Sequence, residues 1–460
     1  MRLLFLDQFP AAPGTLLEWV AGADAALAEH IPATSNQTIH LSGSGPTSWL
    51  AGTFEVPGPV DADAMEAAFA RWLPRHDSLH CYFDRTDGAR PVVARLVPDN
   101  DIRLTPRPPV AADSTPELRE LLASRLDEAC EPFGFAPYFL GAISRDDIST
   151  VIIGFDHAVC DAWSIAIAVV ELDVLYRAAQ EGDLDTVARD LPQPGSFLTY
   201  ATRESACTRA GVRPLVAAWQ EFLAASGHDL PHFPLDLGLT AGERAPFQGE
   251  VRTIILDAID VDRLHRRARV EGYSLFAALL AALARTVAEL GGPEVTDLVF
   301  PMHTRHEPRH HSTVGWLVSN APARIPVRAD FTSTARAADA AIRTGRRLAR
   351  VPAIHVLDEL GERLRRTRQD LFSVSYTDYR YLPGGSRSDL PQAGPRNPAQ
   401  ISRTLPLDDV QMWFTRTDDG LGLRIRYPGT PTARRLLPPF LDRLAAILNE
   451  ATRSLEPALH

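Results

Sequence analysis

The chain has 460 residues, of which 45% are hydrophobic and 23% charged, and its formal net charge is −11. Because a single core stops growing near roughly 250–300 residues, this length and ordinary globular composition predict two lobes. All 47 basic residues are arginine, which excludes a Walker A lysine, a Schiff-base lysine and attached pyridoxal phosphate, and the acidic balance argues against a nucleic-acid partner.

The spacing of apolar residues predicts alternating helices and strands along the whole chain, which is typical of the α/β class. In the first half we expect a helix over 65–73 with a capping box of Asp63 and Glu66, strands over 78–83 and 150–155, and a helix over 163–179. In the second half we expect strands over 251–256, 298–302 and 316–327, a helix over 274–290, helices over 333–350 and 354–368, strands over 371–377, 410–416 and 421–427, and a last helix over 432–453.

Proline and glycine punctuate residues 191–237, apart from one helical patch over 219–223. We therefore expect this stretch to connect an N-terminal lobe, residues 1–190, to a C-terminal lobe, residues 238–460.

The four cysteines, Cys81, Cys130, Cys160 and Cys207, include no CxxC pair, which argues against a disulfide framework and a zinc ribbon. The apolar run over 3–6 is too short for a signal peptide, and nowhere do 18 apolar residues run together, so we expect a cytoplasmic protein without a membrane partner.

Arginine is concentrated in three stretches that each have helical periodicity. They comprise Arg263, Arg266, Arg267 and Arg269; Arg343, Arg346, Arg347 and Arg350; and Arg363, Arg365, Arg366 and Arg368. A solvated helix face is the simpler interpretation of such a run. The alternative is a patch for an acidic partner protein or a phosphate-bearing cofactor.

The segment 156–164 reads DHAVCDAWS and lies between a predicted buried strand and a predicted helix. An imidazole with an ordinary pKa of about 6.5, such as that of His157, can act as a general base at neutral pH. It needs a fixed tautomer, which a carboxylate or a backbone carbonyl usually supplies, and Asp156 and Asp161 flank it. From the spacing alone, a surface loop with a solvated histidine is equally compatible.

This segment resembles the HHxxxDG signature of the condensation-domain superfamily, whose fold relatives include chloramphenicol acetyltransferase. Other segments match the family in order: 73–80, LPRHDSLH; 274–276, which opens an apolar helix; 301–305, followed by 314–320; and 424–428, before a last helix. The resemblance covers about residues 35–455. It implies an α/β fold of two chloramphenicol-acetyltransferase-like lobes in a V-shaped pseudo-dimer with a tunnel between the lobes.

The resemblance also implies a free-standing, monomeric acyltransferase of nonribosomal peptide or antibiotic biosynthesis. Its acyl donor would be a thioester on the phosphopantetheine of an acyl or peptidyl carrier protein, or on CoA. Its acceptor would be a small-molecule amine or alcohol, and no cofactor would be bound permanently. The alternatives are a catalytically degenerate module that binds a carrier protein or recruits another enzyme, and a cyclase acting on a carrier-bound substrate.

Carried over to this chain, the family pattern implies that His157 and Asp156 are the catalytic residues, with His157 as the catalytic histidine, and that Asp161 and Arg305 form a buried structural pair. The residues expected along the substrate channel are Ala162, Trp163, Ser164, His303, Ser319, Asn320, Tyr376 and Asp378. Three positions depart from the pattern: Asp156 replaces its first histidine, Ala162 its glycine and His80 the arginine of the 73–80 corner.

Four histidines, His303, His306, His310 and His311, form a second cluster. Imidazoles at such spacing can bind zinc. Arginine and proline residues interleave here, however, and no known metal motif matches, so we expect a polar loop beside the channel and no metal site.

Overall fold

The computed structural model describes residues 1–24, 28–42, 48–85, 92–207, 209–240, 244–388 and 394–453. Its strands are β1 (Arg2–Phe5), β2 (Gly14–Gly22), β3 (Glu29–Ile31), β4 (Trp49–Pro57), β5 (Cys81–Arg85), β6 (Val92–Leu96), β7 (Arg103–Pro106), β8 (Val110–Ala112), β9 (Tyr138–Ser144), β10 (Ile148–Asp156), β11 (Gln248–Asp257), β12 (Val295–His303), β13 (Val318–Pro326), β14 (Ser373–Asp378), β15 (Arg396–Ser402), β16 (Gln411–Thr417) and β17 (Gly420–Pro428). Its helices are α1 (Ser35–Leu41), α2 (Ala62–Trp72), α3 (Thr115–Ala129), α4 (Ala162–Glu181), α5 (Leu184–Asp190), α6 (Phe197–Ser205), α7 (Arg209–Ala224), α8 (Ala258–Glu271), α9 (Leu275–Glu289), α10 (Phe331–Leu348), α11 (Ala353–Leu360) and α12 (Pro431–Arg453).

The chain folds into two compact units, each assembled from discontinuous segments. Unit 1 contains Met1–Thr208, Thr304–Val318 and Tyr381–Thr404. Unit 2 contains Arg209–His303, Ser319–Arg380 and Leu405–His460. Two segments from the second half of the chain thus belong to the unit that holds the motif loop.

Unit 1 is built on an eight-stranded sheet with the order β1-β15-β4-β10-β9-β2-β7, to which β8 adds through β2. The central strand β10 is antiparallel to both β4 and β9. Its buried side chains alternate between the two faces: Val151 and Ile153 join a core with α2 and α4, while Ile152 packs with α3 on the opposite face. Burial on both faces explains why this strand has a continuous apolar sequence.

Unit 2 contains a six-stranded sheet with the order β11-β17-β16-β14-β12-β13. The alanine-rich helix α9 lies in its core, and α8, α10 and α12 pack against α9. In the described ranges, no single helix has the length and apolarity needed to cross a membrane, although the pair α8 and α9, bent by 100°, passes on length and composition.

The long apolar elements were predicted correctly, but several helix and strand boundaries were wrong. The N-cap of α2 is Asp61, whose carboxylate accepts the Ala64 amide at 3.0 Å, whereas Glu66 accepts the indole N–H of Trp19. The strand expected over 78–83 begins at Cys81, because the preceding residues form a 3-10 turn. The helix expected over 354–368 ends at Leu360, before a glycine, and the stretch 191–237 contains two helices, α6 and α7.

Candidate active site

The motif loop follows the central strand of unit 1 and joins β10 to α4. Asp156 ends β10, and its carboxylate accepts the Ala158 amide at 2.7 Å, which caps a 3-10 turn over His157–Val159. Asp161 caps α4 in the same manner by accepting the Ser164 amide at 2.8 Å. Short side chains with an oxygen acceptor favour such caps, so the two aspartates shape the loop that presents His157.

The His157 ring is fixed by one hydrogen bond and one aromatic contact. Its Nδ1 lies 3.0 Å from the carbonyl oxygen of Cys160. Since a carbonyl can only accept, Nδ1 carries the hydrogen, and the neutral ring keeps its lone pair on Nε2. Trp316 packs against the ring with a centroid separation of 4.2 Å and an interplanar angle of 33°. The arrangement defines both the tautomer and the direction of the imidazole.

The charged neighbours of His157 influence its proton affinity in opposite directions. Burial lowers the pKa of His157 below its ordinary value, and the nearby His40 lowers it further. The carboxylates of Asp156 and Asp161 act to raise this pKa. The imidazole is therefore held in the neutral form that can accept a proton at pH 7.

The Cys160 thiol, next to Asp161 in the loop, is fully buried. Burial raises the pKa of this thiol well above its ordinary value. The residue therefore contributes its backbone carbonyl to the site and not a thiolate.

Asp161 and Arg305 form a buried bidentate ion pair. Arg305 Nη1 lies 2.5 Å from Asp161 Oδ2, and Arg305 Nη2 lies 2.9 Å from Asp161 Oδ1. The Leu317 amide also donates to Oδ2 at 3.1 Å, and the Ser164 hydroxyl lies 2.8 Å from Oδ1. Both carboxylate oxygens are thus fully engaged in fixing the loop and the start of α4.

The segment around Gly315 is hydrogen-bonded to Ser164 and to the Arg305 side of the ion pair. The Ser164 hydroxyl accepts the Gly315 amide at 3.0 Å, and Arg305 donates to the Gly315 carbonyl at 3.3 Å. Gly315 has a φ of 155°, and a Cβ at this position would lie 2.5 Å from the Phe197 ring. Only glycine fits this close approach, which places the next residue, Trp316, against the His157 ring of the motif loop.

Two further predicted channel residues lie at the start of α4. Ala162 and Trp163 are both half-buried. The Trp163 indole N–H donates to the carbonyl of His311 at 3.0 Å, and the Arg305 guanidinium lies 5.6 Å from the Trp163 ring centroid. Trp163 and the buried Ser164 thus both lie against the Asp161–Arg305 pair.

The remaining predicted channel residues belong to unit 2. His303 is exposed at the end of β12, and Asn320 is half-buried in β13. The hydroxyl of Ser319 donates to the carbonyl of Ala349 at 2.5 Å. Ser319 thus ties β13 to the end of α10.

Tyr376 and Asp378 lie near the end of β14. The Tyr376 ring stacks on Phe276 of the core helix α9, with a centroid separation of 6.2 Å, and burial raises its pKa to about 12. Asp378 forms a bidentate pair with Arg380 at 2.8 and 2.7 Å. Within unit 2 these two side chains have packing and pairing partners of their own.

The histidines between 303 and 311 are dispersed. His310 is buried against Tyr200, and burial lowers its pKa. His311 Nε2 lies 3.2 Å from the carbonyl oxygen of Arg305. Throughout the described ranges, no three His, Cys, Asp or Glu side chains are grouped so that they could hold a metal ion.

The 73–80 corner, which carries the His80 departure, is a packed structural element. His80 Nε2 lies 3.1 Å from the carbonyl oxygen of Leu73, and burial lowers the His80 pKa. Arg75 and His76 both contact Glu171 of α4, at 3.1 and 2.9 Å. His80 is thus a satisfied core histidine, and the corner anchors the motif helix.

Sequence reasoning missed His40 of α1 as a neighbour of the site. Its ring centroid lies 6.1 Å from that of His157 and 5.5 Å from that of Trp316. The helix is attached to the motif loop by Gln37, whose side-chain amide donates to the Ala158 carbonyl at 2.9 Å. A polar helix of seven residues has little periodicity to reveal it.

Comparison with known proteins places these features in a family. The sequence model of the condensation-domain family matches residues 28–453. Trehalose-2-sulfate acyltransferase PapA2 of Mycobacterium tuberculosis (strain H37Rv) is 26% identical, with 95% of this chain and 94% of that protein aligned. Acyltransferase PapA3 of the same strain is 23% identical, with 98% and 96% aligned.

Solved structures show the same fold. The PapA2 acyl transferase structure superposes with a TM-score of 0.85 at 24% identity, covering 98% of this chain and all of that one. The first condensation domain of the calcium-dependent antibiotic synthetase gives a TM-score of 0.68 at 18% identity, covering 92% of this chain and 98% of that one. The molecule is thus an α/β acyltransferase of the condensation type.

The chain belongs to the condensation-domain family. The predicted α/β class, the family and the acyltransferase activity are thereby confirmed. The nonribosomal or antibiotic context and the carrier-protein partner stay predictions.

Proposed function

We propose that this acyltransferase moves an acyl group from a thioester to a hydroxyl group of a small polyhydroxylated acceptor, forming an ester. The observation that carries the proposal is the bond from His157 Nδ1 to the Cys160 carbonyl. It leaves Nε2 as the basic atom of a neutral, rigidly held imidazole, which is what deprotonation of an alcohol requires.

In the proposed reaction, His157 Nε2 acts as the base. As the acceptor oxygen attacks the thioester carbonyl, its proton passes to His157 Nε2, and a tetrahedral intermediate forms. Its collapse breaks the carbon–sulfur bond, and the proton moves from Nε2 to the departing sulfur, so the products are an ester and a free thiol. No covalent enzyme intermediate is needed, and a positioned base typically contributes about 10²–10⁴-fold in rate.

Asp161 takes no part in this proton transfer. Arg305, Leu317 and Ser164 already engage both of its carboxylate oxygens. A carboxylate held in this way orients the loop, and its mutation acts through folding. Asp161 and Arg305 are therefore structural residues of the site.

The acceptor is inferred from the relatives. Two of them are named for trehalose derivatives: trehalose-2-sulfate acyltransferase PapA2, and 2'-acyl-2-O-sulfo-trehalose (hydroxy)phthioceranyltransferase PapA1 of Mycobacterium bovis. A sugar offers hydroxyl groups and no amine, which favours an ester product here. The donor is a thioester on the phosphopantetheine of a carrier protein or on CoA, and the enzyme works as a monomer with no permanently bound cofactor.

A docking surface for an acidic carrier protein is suggested by the arginines at the end of α10. Arg346, Arg347 and Arg350 are exposed, and within the described residues none of them forms an ion pair. In the cluster on α8, by contrast, Arg267 is buried and pairs with Glu271. Unpaired surface cations in a protein of net negative charge are suited to steering an anionic partner.

The test combines palmitoyl-CoA with trehalose or trehalose 2-sulfate and follows thiol release and the mass of the product. We expect an ester with the wild type, and a loss of about 10²–10⁴-fold for His157→Ala with an unchanged melting temperature. His30→Ala, an exposed histidine of unit 1, is the matched control. Equal turnover by His157→Ala and wild type would contradict the proposal and favour the catalytically degenerate carrier-binding module.

A further inference from the structure

A second imidazole approaches the catalytic loop from outside the motif. His40 of α1 directs Nε2 towards Asp156, with a separation of 3.4 Å from Oδ1, and its side chain is 20% exposed. The edge of its ring packs against Trp316 at an interplanar angle of 84°. The Trp316 ring, which packs against His157, therefore also contacts His40.

Asp156 needs such a partner. Its side chain is completely buried, Oδ1 accepts the Ala158 amide, and Oδ2 has no hydrogen-bond partner among the described residues. A buried carboxylate without a compensating charge is costly. Of the described side chains that can carry a positive charge, His40 alone lies within 4 Å of it.

The position of α1 is fixed independently of this pair. The Thr34 hydroxyl caps the helix, and Gln37 completes a capping box. The Asn36 amide donates to the Val318 carbonyl at 2.6 Å, and Gln37 binds the motif loop. His40 is therefore placed by a helix attached to the loop and to the segment that carries Trp316.

We propose that His40 and Asp156 form an ion pair that acts as a positioning unit for His157, so that α1 supplies the imidazole that the motif lacks at position 156. The proposal deepens the proposed function, because it assigns residues that tune the same base. His40 takes no proton from the acceptor, and it acts through its charge and its contact with Trp316.

The physical basis is a balance of charges around His157. A protonated His40 lowers the pKa of His157, and the Asp156 carboxylate partly offsets that effect. Among the described residues, other charged groups near these side chains are Asp161, neutralised by Arg305, Glu204, which accepts the Ser35 amide at the first turn of α1, and Arg85, which donates to the Leu41 carbonyl at its last turn. The buried Cys130 and Cys160 thiols also lie near Asp156, and burial keeps both protonated by raising their pKa values. The pair therefore keeps the base neutral, and ready to accept a proton, in more acidic solution.

The first test measures the pKa of His157 by histidine NMR titration in the intact chain. His40→Gln removes the positive neighbour and should shift the His157 pKa upward. Adding Asp156→Asn to that variant removes the negative neighbour and should shift it downward again. A purely structural role predicts no such opposite shifts, and an unchanged His157 pKa in His40→Gln would overturn the proposal.

The double variant also guards against loss of folding. His40→Gln alone leaves a buried carboxylate uncompensated, whereas Asp156→Asn removes that charge, so the double variant should melt at a higher temperature than His40→Gln. His30→Gln, which changes an exposed histidine of β3, should move neither the titration nor the melting temperature.

The second test is the pH dependence of kcat/KM with palmitoyl-CoA and trehalose 2-sulfate. Because the base must be deprotonated, a raised pKa should move the acid limb of His40→Gln to higher pH. An acid limb that stays where it is in the wild type would overturn the role of His40 in catalysis. If the titration shifts as expected but the wild type turns over no thioester, the proposed function fails while the ion pair stands.

Discussion

Two buried aspartates flank His157 in the motif loop, and their carboxylates are hydrogen-bonded in very different ways. Asp161 receives a bidentate guanidinium, two backbone amides and a hydroxyl, so both of its oxygens are saturated. Asp156 receives one amide and a histidine at 3.4 Å, and its second oxygen has no described partner. A guanidinium is always charged, whereas an imidazole titrates. Asp161 is therefore held by a permanently charged partner, whereas Asp156 has only a single, longer contact with a histidine.

The largest effect should come from breaking the saturated pair. Asp161→Ala leaves Arg305 buried without a counter-charge, so the free energy of unfolding should fall by about 3–5 kcal/mol. Urea unfolding measures this difference. The matched control is Arg203→Ala, which removes one side of the exposed Arg203–Glu307 pair and should cost only about 0–1 kcal/mol. Equal losses for the two variants would show that the pair does not hold the loop.

In unit 2 a buried carboxylate lies against a second carboxylate, and the charge of Arg426 only partly offsets the effect on its pKa. Asp370 lies against Asp408, and burial, with the charge of Asp408 as a further cause, raises the Asp370 pKa to about 6. Because the folded state binds this proton more tightly than the unfolded chain, its contribution to stability is present at low pH and is lost as the pH rises through about 6.

Asp370→Asn should therefore flatten the dependence of unfolding free energy on pH between about 4 and 7. Denaturant titrations at several pH values check this. Asp358→Asn, an exposed residue of α11, serves as the control, and a wild-type curve that Asp370→Asn leaves unaltered would refute the assignment.

The smallest effect on stability is expected for the exposed arginines at the end of α10, which form no ion pair with any described residue. Arg346→Glu with Arg347→Glu changes an exposed surface, so the melting temperature should hardly change. Transfer from an acylated carrier protein should nevertheless fall about tenfold or more, while turnover of a palmitoyl N-acetylcysteamine thioester stays constant. Arg266→Glu with Arg269→Glu on α8 is the matched control. An equal fall in both double variants would exclude the end of α10 as the docking surface.

How much of the structure could be predicted from the sequence depends on how far apart along the chain the interacting residues lie. The apolar runs of β10, α4 and α9 report local burial and were recognised directly. The Asp161–Arg305 pair joins residues 144 positions apart, and only the family resemblance indicated it.

His40 was missed for the same physical reason. It is brought to His157 by tertiary contacts of a short helix, and no periodicity or motif encodes those contacts. The start of α2 was also misplaced at Asp63, because Asp61, two residues earlier, is the side chain that finds a free amide and caps the helix.

The burial of Cys160 has a consequence for labelling chemistry. Cys81, Cys130 and Cys160 are all enclosed, whereas Cys207 is half-exposed near the end of α6. Alkylating reagents reach only accessible thiols, so a maleimide dye should attach at Cys207 and spare the motif loop. The native chain thus offers a single attachment point for fluorescence without an engineered cysteine.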